Sequence, residues 1–158
     1  ADPAFDSTAR YGERSLAFTR LPNSRSEVSA ISSLFRPEDR KVFLGAEATE
    51  GQVKSQDLRG YRFIHVAAHG YADEEQPSRS GIVLSAGAGS AEDGILQVPE
   101  IMRLHLDADV VTLSACQTGL GQVLAGEGVM GLSRAFLYAG AASVVVSGSG
   151  TLYIHPII

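Results

Sequence analysis

Two residues of this chain have the chemistry for a nucleophile and its base: Cys116, the only cysteine, and His69. A thiol titrates near pH ~8.5, so only a small fraction is thiolate at neutral pH, and the thiolate is the nucleophile. An imidazole beside it can take the proton or stabilise the anion as imidazolium, and can later protonate a leaving amine. Cys116 follows the apolar run Val110-Val111-Thr112-Leu113-Ser114 and precedes Gly119 and Gly121, which let the backbone turn and expose its amides. His69 follows a second apolar run, Phe63-Ile64-His65-Val66-Ala67, and is joined to Gly70. If the two runs are parallel neighbours, both residues lie over one edge of a sheet, where open α/β folds place their chemistry. An exposed amide of that turn and the amide at Gly70 could then stabilise the oxyanion of a tetrahedral intermediate.

Blander roles compete with this one. A lone cysteine beside Val and Leu is commonly a small buried hydrophobe, and a histidine at a strand end is commonly structural. Their shared context, each after an apolar run and each close to glycine, favours chemistry. His65 is a rival base, but it falls inside its strand, where a core or supporting role is expected. A metal set of His65, His69 and Cys116 is disfavoured, because the His-x-x-x-His spacing suits ligation from a helix. Gly119-Leu120-Gly121 lacks the third glycine of a dinucleotide fingerprint, since position 124 is leucine, and no phosphate-cradling Gly-Lys-Ser/Thr follows. No cofactor and no metal is therefore expected.

The elements that must position these residues are readable in outline. Val28, Ile31, Leu34 and Phe35 recur at helical spacing from Ser24, and Glu27 three places on suggests a capping box. Short strands are expected at 15–18 and 42–44, and a short helical turn at 55–58. Strand 61–67 follows. Gly81–Ser85 and Gly94–Gln97 read as a hairpin or as two edge strands. Pro99 opens a helix expected over 98–106. Val129, Leu132, Ala135 and Phe136 trace a helical stripe from Glu127 to the C-cap Gly140, and Ser143–Val146 is a last clear strand. Alternating strands and helices predict an α/β fold with a mostly parallel central sheet covered on both faces.

Composition narrows the class of function. The chain has 158 residues, with 18 Asp plus Glu against 13 Lys plus Arg, and the basic residues are scattered. No basic stripe marks a nucleic-acid partner, and no apolar run approaches a membrane span of ~20 residues. A single free cysteine suits a reducing compartment, so a cytoplasmic location is expected. Residues 1–14 read as a leader or the end of a linker, and 148–158 as a linker-like turn with an uncertain terminal strand or fused segment. Acidic positions near the proposed edge, Asp73, Glu74, Glu75 and Asp93, could line a pocket for a basic side chain, or be a solvated face. Glu127, at a helix N-terminus, has a favourable charge there for structural reasons and is a second candidate for substrate binding.

Several blocks in order resemble the CHAT domain, a caspase-like cysteine peptidase family in the clan of caspases, metacaspases and separases. They are Phe63-Ile64-His65-Val66-Ala67-Ala68-His69-Gly70, Leu113-Ser114-Ala115-Cys116-Gln117-Thr118-Gly119 and the stretch from Gly126 to Ala141; Leu21-Pro22 with Glu27 and Leu44-Gly45-Ala46-Glu47-Ala48-Thr49 fit the same pattern. The resemblance implies a caspase-haemoglobinase three-layer sandwich over residues 15–147. It also implies a Cys116–His69 dyad, with Gly70 and Cys116 amides as oxyanion donors. The family usually continues past Ser147 with an aspartate-bearing loop and a further helix, so the expected domain would lack that C-terminal part. The function implied is a cysteine endopeptidase acting on a protein or peptide substrate, with tetratricopeptide repeats as a regulatory partner or domain. The competing reading is an inactive or latent peptidase-fold domain serving as a protein-interaction scaffold.

Overall fold

In the computed structural model, the structure describes residues 10, 11, 14, 15, 18, 21, 23–73, 75–87, 90–114, 127–148 and 151–156. A central four-stranded sheet has the order β3-β7-β8-β9, formed by Phe63–Ala67 (β3), Val110–Ser114 (β7), Ser143–Gly148 (β8) and Thr151–Pro156 (β9). The first three are parallel, and β9 returns antiparallel along β8. A three-stranded antiparallel sheet joins His69–Tyr71 (β4), Gly81–Val83 (β5) and Ile95–Gln97 (β6), and Arg10–Tyr11 (β1) pairs with Arg14–Ser15 (β2). The helices are Ser24–Ser32 (α1), Glu50–Lys54 (α2), Val98–Ile101 (α3) and Glu127–Tyr138 (α4). The architecture is α/β, as the alternation of elements predicts.

The period-two pattern of the strands decides which face is filled. Val111 and Leu113 of β7 align with Val144 and Val146 of β8, and all four are buried. Ile64 and Val66 of β3 extend the same face, which packs against Leu132, Ala135 and Phe136 of α4, Ala139 just after it, and Ile101 of α3. Each large aliphatic or aromatic side chain buried there contributes roughly 1.5–3 kcal/mol. On the opposite face α1 covers β3, where Glu27 Oε1 lies 3.0 Å from His65 Nε2. Thr112 and Val145 on that face are only half-buried.

A glycine fixes the junction between α4 and β8. Gly140 has φ +113°, its N–H donates to Leu137 O at 3.1 Å, and Ala141 N–H donates to Phe136 O at 3.1 Å. This is the left-handed helix end that glycine tolerates best. A Cβ at Gly140 would lie 2.2 Å from Leu106 O.

Several sequence expectations are corrected. No capping box forms at Ser24 and Glu27: Ser24 is the first helical residue with its hydroxyl on Leu21 O, and Glu27 turns to His65 instead. Residues 42–44 form no strand; Leu44 is extended and leads into a short 3-10 turn at Gly45–Glu47. The helical turn expected at 55–58 lies earlier, because Thr49 caps α2 by accepting from Gln52 N–H at 3.2 Å. The helix expected over 98–106 ends at Ile101, and a turn leads to extended chain toward β7. The strand expected at 15–18 begins earlier, with Ser15 closing β2, while Leu16 and Ala17 lie outside the described residues. The two pieces at 81–85 and 94–97 are a hairpin, β5 with β6.

Candidate active site

The parallel ladder between β3 and β7 sets the site's geometry. Its register pairs Phe63 with Val110, and continues in step to Ala67 with Ser114, so both strands finish level at one edge. His69 follows Ala67 by two residues, and Cys116 follows Ser114 by two residues in the sequence. Cys116 and the turn 115–126 lie outside the described residues.

His69 does not sit in a loop past the strand, as the sequence suggests. It opens β4, a three-residue strand that leaves the parallel sheet at Ala68 and pairs antiparallel with β5, placing His69 opposite Val83 and Gly70 opposite Ile82. The alternation of β4 and β5 separates two environments. Ile82 and Leu96 join the main core with Ala68 and Leu84. Val83 and Ile95 form a smaller apolar cluster with Tyr71 and Phe18, on the face that carries His69. The imidazole is buried, with 3% of its surface exposed, and the Phe18 ring lies against it with centroids 5.3 Å apart and planes tilted by 30°.

The loop after β4 is held from within. Asp73 is buried; its Oδ1 accepts from Glu75 N–H at 3.1 Å and Gln76 N–H at 2.9 Å, and Tyr71 OH donates to its Oδ2 at 3.3 Å. Asp73 N–H in turn donates to Ser80 Oγ at 3.0 Å. This is the Asx-turn chemistry that lets a short side chain replace a backbone ladder. Asp93 also serves its own turn, accepting from Ile95 N–H at 2.9 Å. Glu75 is exposed, and Glu74 lies outside the described residues. Glu127 is the first residue of α4, and its side chain lies outside the described set.

His65 takes a different part. It is inside β3, in register with Thr112, and its Nε2 is engaged by Glu27 of α1, so it ties a helix to the sheet. Sequence spacing could not show that partner, which lies 38 positions away.

One charged cluster was not apparent from sequence. Lys54 Nζ lies 2.6 Å from Glu50 Oε1, 2.8 Å from Glu92 Oε2 and 2.7 Å from Glu100 Oε1, joining α2, the β5–β6 turn and α3. Among the described residues these three glutamates are the group whose oxygens approach closely enough to hold a metal ion, but the Lys54 ammonium already sits among them. Burial pushes the Glu50 carboxyl up to about 7, against the opposing hydrogen bond from Lys54 and with help from the Glu100 charge. The three carboxylates hold Lys54 protonated well above its ordinary range, outweighing its desolvation. A groove of about 420 Å³, lined by Leu58, Arg59, Arg103, Leu104 and His105 among others, lies on the segments leading into β3 and β7, at the opposite end of those strands from His69. Among the described residues no helix is long and apolar enough to cross a membrane.

In sequence, His69 and Cys116 thus each follow by two residues one member of the pair Ala67–Ser114. The CHAT domain model matches residues 1–149, and the chain belongs to that family. No curated protein matches the sequence.

Proposed function

We propose that this chain is a cysteine endopeptidase of the caspase-haemoglobinase fold, with its domain over residues 15–147 and a Cys116–His69 dyad. The observation carrying this is the parallel register of Ala67 with Ser114, which in sequence stand two residues before His69 and Cys116. Family membership supports the reaction class.

In the reaction, the Cys116 thiolate attacks the peptide carbonyl carbon and its proton resides on His69. The amides of Gly70 and Cys116 stabilise the oxyanion, as backbone donors do in acyl transfer. His69 returns the proton to the amine as the C–N bond breaks, and water, deprotonated by His69, hydrolyses the thioester and frees the thiol. Asp73 serves substrate binding by fixing the 73–80 loop beside β4, and Glu127 by its place at the start of α4. The substrate is a protein or peptide, tetratricopeptide repeats are a regulatory partner, and the reducing cytoplasm suits the free thiol.

The burial of His69 favours one second reading, a latent or inactive peptidase-fold domain that acts as an interaction scaffold. Mass-spectrometric detection of new N-termini in a protein mixture separates the two. Cleavages made by wild type and lost in Cys116→Ala support the endopeptidase. A wild type as silent as Cys116→Ala supports the scaffold.

A further inference from the structure

We propose that Phe18 is a positioning residue for His69, limiting the turn of its imidazole; the proposal rests on the catalytic reading above. Two observations carry it. The ring centroids are 5.3 Å apart and the planes differ by 30°, so the Phe18 ring lies against the imidazole. Phe18 is itself packed with Tyr71, Val83 and Ile95, residues on the same face of the small sheet as His69.

That packing makes Phe18 part of a wall built into the fold. A histidine turns about two side-chain bonds, and its terminal torsion is broad when nothing limits it. Strand pairing of His69 with Val83 fixes the backbone, and the Phe18 ring restricts the remaining torsion. A base misplaced by about 1 Å loses up to ~100-fold in rate, so a ring that orients the base can control turnover.

The test compares wild type, Phe18→Ala, Phe18→Leu, Phe18→Tyr and His69→Ala by two measurements on the full chain. The first is the rate of covalent labelling by an electrophilic peptide ketone as a function of its concentration, which separates the maximal rate from the half-saturating concentration. The second is the NMR shift of the His69 ring protons, with thermal unfolding as a control for folding. The expected result is a maximal rate roughly 10- to 100-fold lower in Phe18→Ala, an unchanged half-saturating concentration, and recovery in Phe18→Tyr. The His69 ring protons should move when the aromatic ring is lost in Phe18→Leu. Faster labelling of Phe18→Ala would make the ring a cover, and an unchanged rate with His69-dependent labelling would remove its role; either overturns the proposal. If wild type and His69→Ala both fail to label, the catalytic reading is at fault. The NMR arm then decides whether Phe18 holds the imidazole, and His69 signals that ignore Phe18→Leu overturn that too.

Discussion

Ala67 stands directly opposite Ser114, the last pair of a parallel ladder among the described residues. His69 and Gly70 follow from one side, and the segment bearing Cys116 from the other. A parallel ladder makes this possible because its strands run the same way and their exits share one edge. The same pairing separates His65 from His69: His65 is in register with Thr112, inside the sheet, and is held by Glu27.

The two histidines therefore predict different outcomes. His65→Ala should cost about 1 kcal/mol, since its hydrogen bond with Glu27 is partly exposed, and leave the thiol-labelling rate unchanged. His69→Ala should abolish labelling. Urea denaturation and labelling kinetics on the two variants check both statements.

Asp73 is predicted to act through the loop it organises. Asp73→Ala removes an acceptor for two backbone amides and a tyrosine hydroxyl, and should destabilise by about 1–3 kcal/mol. Asp73→Asn keeps the acceptor oxygen and should restore most of the stability and the proteolytic resistance of residues 73–80. If labelling by peptides with a basic residue before the reactive group falls equally in Asp73→Asn and Asp73→Ala, the charge itself binds substrate.

The buried Glu50 predicts a pH dependence of stability. Its folded-state value of about 7 lies above the ordinary 4.5, so its contribution is fully present below about pH 4.5 and is lost as pH rises through about 7. The loss amounts to roughly 3 kcal/mol at most. Lys54 is held protonated throughout that window and adds no slope there. Denaturant melts from pH 4.5 to 8 should show stability falling in wild type and a flatter profile in Glu50→Gln.

The core and the helix end should respond strongly to small changes. Ile101 is fully buried where α3 meets the main core, and Ile101→Ala should cost ~2–5 kcal/mol. Gly140→Ala meets both a positive φ and the Leu106 carbonyl, and should cost ~2 kcal/mol or more. Thermal unfolding tests each.

How far the sequence was legible follows from the length and regularity of each element. The strands β3, β7 and β8 and the stripe of α4 stand out because each carries several apolar residues at a constant period. β4 escaped notice because three residues with a central glycine show no period, and its existence depends on pairing with β5. Glu27 reads as a cap by local spacing but is drawn to His65 by the tertiary fold. The Lys54 cluster joins residues up to 46 positions apart, so no local pattern announces it. The contact of Phe18 with His69 was not legible either, because it needs two chain segments brought together.

The measurement that bears most directly on catalysis is the intact mass of the chain after exposure to an electrophilic peptide ketone. One adduct mapped to Cys116, absent from Cys116→Ala and lost in a folded His69→Ala, is the predicted result. A folded wild type that takes up no adduct, or takes it up at an equal rate without His69, contradicts the account.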